Sequence, residues 1–232
     1  MKLTMVIACF NEKTTILKAI EEAKAVNIDK EIIIIDNCST DGTRELLQGL
    51  KNDKDLRIIL HSKNMGVGYS GREGMELAKG EYFSGLGADL EYSMRDVQKM
   101  MEKMERESLD VVFGSRLLDR KNVPIFTLIK ERPYWLGTII ATSLINLFYG
   151  RNFTDVIGSS LIKTKILKAT RFNSNGHAAA VELVSKLCRA GYKIAEEAVS
   201  YTPRTHQQGK TIKAVDTVIP ALWAILKVKI FG

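Results

Sequence analysis

Cysteine is scarce and odd in number: Cys9, Cys38 and Cys188 are the three among 232 residues. Their wide spacing fits neither a disulfide framework nor a zinc-ligand pattern, so a reduced, cytosolic setting is expected. Long apolar runs are also missing. The first, Leu3 to Phe10, spans eight residues with no small-residue cleavage site, so no signal peptide is expected. Tyr134 to Tyr149 is too short for a membrane span, and Val215 to Phe231 is interrupted by Pro220, Lys227 and Lys229. Aromatic residues make up only 7% of the chain, and no basic run is interleaved with them, which argues against nucleic acid as a partner. Low-complexity segments, internal repeats and disordered linkers are absent too.

The net charge of +7 conceals an asymmetry. Residues 1–115 hold 16 Lys and Arg against 20 Asp and Glu, a net −4, whereas the remainder holds 18 against 7, a net +11. A basic half suits an acidic substrate or an anionic membrane surface, because summed charge steers association without setting the fold.

Up to about Arg116 the chain alternates short β-rich runs with amphipathic stretches, the pattern of βα units around a mostly parallel sheet. The expected strands are Leu3 to Ala8, Glu31 to Asp36, Leu56 to His61, Tyr82 to Leu86 and Asp110 to Phe113. The expected helices are Lys13 to Val26, Thr43 to Asn52, Tyr69 to Ala78 and Ser93 to Glu107. The four consecutive isoleucines Ile32 to Ile35 suit a central strand covered on both faces. After Arg116 the rhythm changes. Tyr134 to Tyr149 reads as an interfacial or packed helix, and Val215 to Phe231 reads equally as a surface-resting or a core helix.

Ligands of open parallel sheets bind beyond the carboxyl ends of the strands, and polar residues cluster at those ends here. Asn11 and Glu12 follow the first strand, with Asn11 also able to cap the next helix. Asp36 ends the isoleucine strand, where a buried carboxylate must be paired or bind something such as a base N–H or a ribose hydroxyl. In the extended geometry of a strand end, Asp89 and Glu91 point the same way and can share one cation. A hard ion, Mg²⁺ or Mn²⁺, with a substrate diphosphate suits two such carboxylates. Gly66, Gly68 and Gly71 spell G-x-G-x-x-G, but Ser62 to Met65 separate them from the preceding strand. A flexible turn is expected there, not a dinucleotide loop.

These stretches, in this order, resemble glycosyltransferase family 2, and within it the dolichol-phosphate mannose synthase and polyprenyl-phosphate sugar transferase group. Residues 6–12 are similar to the family's Pro-x-Tyr-Asn-Glu, residues 36–43 to its Asp-Asp-Gly-Ser-Thr-Asp-Gly-Thr, and Asn64 to Gly74 to its Asn-x-Gly…Arg-Asn-x-Gly. Gly114-Ser115-Arg116, Thr154-Asp155 with Gly158, and Arg204 through Gly209-Lys210 continue the match. The resemblance implies a GT-A fold: α/β, with a mostly parallel central sheet flanked by helices. It places Ala8, Phe10, Glu12 and Asp36 around the nucleotide, with Asp89, and makes Asp89 and Glu91 metal ligands. It also sets Arg116, Arg204 and Lys210 against phosphates, a role that guanidinium and ammonium groups in the basic half suit. Asp155 matches the family's general-base position; with an ionised phosphate acceptor it would instead orient the acceptor or pair with Arg204.

The chain also departs from the family. Gly87 stands at the first aspartate of Asp-x-Asp, Asn37 at a second family aspartate, Ala8-Cys9-Phe10 at Pro-x-Tyr, and Ser159 to Lys163 lack the usual aromatic-Arg pattern. The long C-terminal membrane pair of many relatives is not found. The resemblance implies one compact catalytic domain, with residues 1–116 binding the nucleotide-sugar and 117–232 carrying amphipathic helices for the acceptor. The implied enzyme is a metal-dependent, inverting hexosyltransferase, moving sugar from a UDP- or GDP-sugar to a polyprenyl or dolichyl phosphate. It would work in the cytoplasm, peripheral to the membrane. Two alternatives are the same chemistry onto a saccharide or other hydroxyl, and a silent sugar-nucleotide or lipid-binding module.

Overall fold

The computed structural model describes residues 1–132, 135–204 and 214–231, with side chains from Val218 onward in the last segment. One seven-stranded sheet runs through both halves of the chain in the order β3-β2-β1-β4-β6-β5-β7. Five strands fall where the sequence predicts them: β1 (Leu3–Cys9), β2 (Lys30–Asp36), β3 (Leu56–Leu60), β4 (Tyr82–Gly87) and β5 (Val111–Ser115). β6 (Ser159–Lys163) and β7 (Ile194–Ala198) complete the sheet from the second half. All described pairings are parallel except those of β6, which lies antiparallel between β4 and β5.

The isoleucine strand shows why the sheet is doubly covered. Side chains alternate across a strand, so Ile32 and Ile34 enter one core with Leu3, Met5 and Ile7, while Ile33 and Ile35 enter the other with Val6. The first face is covered by α1 (Ile16–Ala25), α2 (Thr43–Gly49) and α4 (Asp96–Arg106), whose Val97, Met100, Met101 and Met104 are buried at helical spacing. The second face is covered by α3 (Val67–Leu77), α6 (Trp135–Tyr149), α7 (Thr164–Ala169), α8 (Ala178–Arg189) and α9 (Ala214–Phe231). A short α5 (Ile125–Glu131) precedes α6 and packs with it through Leu128 and Trp135. No described helix is long and apolar enough to cross a membrane.

Two local readings are corrected. Gly66 to Gly71 is not a flexible turn: Gly68 and Gly71 lie inside α3, and Gly66 is its N-cap with φ +87°. The Gly68 N–H donates to the Asn175 carbonyl at 2.7 Å, and a Cβ on Gly68 would meet the Ala179 Cβ at 2.6 Å. Gly66 and Gly68 let α3 dock against the start of α8. Asn11 does not cap α1; it sits at φ +57°, accepts from the Thr40 N–H at 2.8 Å, and ties the β1–α1 loop to the β2–α2 loop.

A tighter contact joins β5 to the loop before β6. A Cβ on Gly158 would run into the Gly114 carbonyl oxygen, which is backbone and has no rotamer to yield. Gly158→Ala is therefore expected to destabilise the fold by ~1–3 kcal/mol, read as a lowered urea midpoint at unchanged slope.

Candidate active site

The strand order reverses at β1: β2 lies on one side of it and β4 on the other, so a crevice opens at the carboxyl ends of β1 and β4. Ala8 sits at that end, in register with Ile35 and Gly87. Phe10 stands beside it, 46% exposed, while Glu12 and Asp36 are buried.

Asp36 is paired by its own chain. Both its oxygens accept from the Ser39 N–H, at 3.1 and 3.3 Å, and Arg44 Nη1 lies 3.3 Å from Oδ2. Asn37 and His61 extend the network: Asn37 Oδ1 accepts from the Met65 N–H and contacts His61 Nδ1 at 3.1 Å, and His61 Nε2 meets Glu73 at 2.6 Å. Hence a connected network of hydrogen bonds forms the wall behind the crevice.

At the end of β4 the expected extended geometry is not found. The strand stops at Gly87, and Leu90 adopts φ +58°, so Asp89 and Glu91 do not alternate as neighbours on a strand would. Asp89 folds back instead: its Oδ1 accepts from the Glu91 N–H at 3.1 Å, and a Cβ on Gly87 would meet its carboxylate at 3.3 Å. The absence of a side chain at 87 thus gives Asp89 the space it occupies. Glu91 turns to the opposite partner set, accepting from the Tyr201 O–H at 2.9 Å and from the Arg204 N–H at 2.9 Å.

Through those bonds the segment at 201–204 is drawn into the crevice. Tyr201 bridges to Tyr92, the Thr202 N–H donates to the Glu91 carbonyl, and Arg204 reaches Glu12 as a bidentate pair at 2.8 and 2.9 Å. Its Nη2 also lies 3.9 Å from Asp89. One guanidinium is therefore surrounded by Glu12, Asp89 and Glu91. Burial disfavours the Arg204 charge, but Glu12 above all holds it above the usual arginine range. Burial also pushes the Asp89 carboxyl up, opposed by the Glu91 N–H and Arg204 and reinforced by the Glu91 and Glu12 charges.

That shift has a sign for stability. A carboxyl whose folded-state value is raised costs stability once ionised; the cost is complete above the folded value and gone below the ordinary value near 4. Asp89→Asn is therefore expected to melt higher than the parent at neutral pH. Melting curves taken down to pH 4 should show the gain fading.

Arg116 and Asp155 form a second, fully internal pair. Arg116 Nε and Nη2 contact the Asp155 carboxylate at 2.6 and 3.0 Å, the Arg116 N–H adds a third bond, and Asp155 has no exposed surface. Burial opposes the Arg116 charge, but Asp155 beside it keeps the guanidinium well above its usual range. Asp155 pairs with Arg116, not with Arg204 as the sequence reading allowed. The Arg116 guanidinium lies 5.1 Å from the centre of the Tyr201 ring, which links this pair to the crevice through Glu91. Lys210 lies outside the described residues.

Three positioning residues escape sequence reasoning. Glu196 on β7 accepts from the Thr154 and Asp155 N–H groups at 2.8–2.9 Å; burial pushes its carboxyl up. Tyr201 and Arg44 hold Glu91 and Asp36. None of the three sits in a motif, and β7 itself gives no strand signal in the sequence.

Chemically, Glu12, Asp89 and Glu91 put three carboxylates against one cation, a surplus of negative charge in hard oxygen donors. No group of three or more Asp, Glu, His or Cys among the described residues is arranged to hold a metal by itself. Glu12 and Glu91 are taken up by Arg204 and Tyr201, so Asp89 is the carboxylate that would hold Mg²⁺ or Mn²⁺, with the rest of the coordination from a diphosphate.

Comparison with known proteins identifies the family and the fold. The family model described as Glycosyl transferase family 2 matches residues 4–171. An uncharacterized protein of Methanocaldococcus jannaschii is 28% identical over 205 residues, covering 84% of this chain and 86% of that protein. The dodecaprenyl-phosphate galacturonate synthase of Rhizobium johnstonii is 26% identical over 220 residues, covering 90% of this chain and 62% of its own length. The chain thus spans less than two thirds of that relative. A crystal structure of glucosyl-3-phosphoglycerate synthase from Mycobacterium tuberculosis, in complex with Mn²⁺, UDP and phosphoglyceric acid, superposes with a TM-score of 0.67 at 14% identity. That match covers 100% of this chain and 79% of the other, and at such identity it shows the fold.

Proposed function

The chain belongs to glycosyltransferase family 2 and has its GT-A fold; from that membership we propose that it moves a sugar from a UDP- or GDP-sugar to a polyprenyl phosphate, with inversion. The nucleotide enters the crevice at the ends of β1 and β4, against Ala8, Phe10, Glu12 and the Asp36 wall. Asp89 would hold a divalent cation there. When bound, that cation neutralises the leaving nucleoside diphosphate.

Among the chain's own groups, Arg204 is set to act on the same charge. Glu12 fixes its guanidinium at the crevice by a bidentate pair, and the positive charge held there stabilises negative charge as the diphosphate departs. Glu91 acts through Arg204: its bonds to the Tyr201 O–H and the Arg204 N–H hold the segment in place, so it is a positioning residue in this scheme. Lys210, six residues on, is proposed to meet the same phosphates.

The observation that carries the acceptor assignment is the state of Asp155. A hydroxyl acceptor must lose a proton during attack, whereas a phosphate acceptor is already ionised and needs no base. The residue at the family's base position is fully buried and locked to Arg116, which supports an ionised acceptor. Arg116 and Asp155 then serve as the frame behind Tyr201.

Labelled UDP- and GDP-sugars supplied with Mn²⁺ and a short-chain polyprenyl phosphate test this reading. Label extracted with the lipid, and released by mild acid, is the expected result. Label found only on added saccharides would replace it with the hydroxyl-acceptor alternative.

A further inference from the structure

α9 lies along α8 and α6, burying Ala224, Ile225 and Val228 on one side. Its opposite side carries Ile219, Trp223, Leu226 and Ile230, spaced by four, three and four residues, the repeat of a single helix face. All four are exposed, Ile219, Trp223 and Ile230 by more than 60%. An apolar ridge of this length on the solvent side has no partner within the described residues.

Positive charge borders the ridge. Lys227 and Lys229 fall on its two flanks in the helical projection, and residues 218–231 contain no acidic residue. Lys227 also lines a groove of about 390 Å³ between α8 and α9, together with Lys186, Trp223 and Phe231. Lys186 is shared with a shallower surface that includes Arg171 and Arg189. The acid in the groove, Glu182, is buried and already accepts from Asn173, Ser174 and Lys186. Aliphatic and Trp side chains at the crest with cations beside them match the boundary between acyl chains and anionic headgroups.

We propose that this face of α9 docks flat on a membrane surface containing anionic phospholipid. Ile219, Trp223, Leu226 and Ile230 enter to side-chain depth, and Lys227 and Arg171 face the phosphates, while Arg189 and Lys186 are held by the Val228 and Arg171 carbonyls. The helix lies in the membrane plane because its other side is held along α8. A second copy of the chain fits this face poorly: two ridges brought together would oppose Lys227 and Lys229 to their equivalents with no acid between them. The docking is independent of which acceptor the active site uses.

Vesicles of phosphatidylcholine mixed with phosphatidylglycerol, without donor or polyprenyl lipid, give the test at low salt. The full chain should cosediment with them, and its fluorescence should shift to shorter wavelength as Trp223 leaves water; the other tryptophan, Trp135, is already buried. Brominated acyl chains should quench that emission. The pair Leu226→Glu and Ile230→Glu should cut binding by more than about tenfold with unchanged circular dichroism. Lys227→Glu should weaken binding to the anionic vesicles and leave phosphatidylcholine alone unaffected. The proposal is overturned if the parent protein stays in the supernatant, if brominated lipid leaves Trp223 unquenched, or if the glutamate pair binds as well as the parent. A dimer in ultracentrifugation that the pair dissociates, with no vesicle binding, would assign the face to a second copy instead.

Discussion

Asp89→Ala is expected to fold normally and to lose glycosyl transfer by about 10²- to 10³-fold, the scale set by removing one preorganised group that meets developing charge. The reason lies in what surrounds it. Gly87 supplies no second carboxylate, Glu91 is committed to Tyr201 and Arg204, and Glu12 is committed to Arg204. Asp89 alone of the three is held only loosely: its Oδ1 accepts from the Glu91 N–H, and its Oδ2 has a contact of 3.9 Å to Arg204. Steady-state transfer rates across a range of Mn²⁺ concentrations check the claim; a variant with near-parental rates would remove Asp89 from the site.

The second large effect concerns stability. Asp155→Ala leaves the Arg116 guanidinium, itself 9% exposed, without its buried counter-charge. Breaking one partner of a buried pair costs about 3–5 kcal/mol, and for a chain of this size that lowers the melting temperature by on the order of 10 °C. Replacing both partners, as Asp155→Leu with Arg116→Met, should recover most of the loss because no unpaired charge remains. Differential scanning calorimetry of the parent and the two variants separates the cases. A single variant that melts with the parent would mean that Asp155 is not locked to Arg116 in solution, and would reopen the base role.

The first half of the fold was legible because its code is local. Runs such as Ile32 to Ile35 and the Met100, Met101, Met104 stripe announce strand and helix without outside help. The second half was not. β6, with the sequence Ser-Ser-Leu-Ile-Lys, and β7, with Ile-Ala-Glu-Glu-Ala, are short and largely polar or small; they are strands because the edge of β4 and the two edges of β5 are there to pair with. The glycines at 66 and 68 were misread for the same reason, since what they accommodate is Asn175 and Ala179, a hundred residues away.

The site shows the same division. Asp36 and Asp89 were proposed from strand ends alone, and the expectation that a buried Asp36 is paired holds, with Ser39 and Arg44 as the partners. What the sequence could not convey was the turn at Leu90. One residue with positive φ reverses where Glu91 points, and with it the identity of its partners. The Glu12–Arg204 contact spans 192 positions and has no local signature.

The central claim is that the ends of β1 and β4 form a donor-nucleotide site closed by Asp89. Thermal shift of the parent protein and Asp89→Ala, across UDP- and GDP-sugars with and without Mn²⁺, tests it most directly, because a ligand that binds only the native state raises its melting temperature. The account predicts that one nucleotide class raises the parent's melting temperature, more strongly with Mn²⁺, and that Asp89→Ala loses the Mn²⁺-dependent part. No shift from any donor, or an identical shift in the variant, would contradict it.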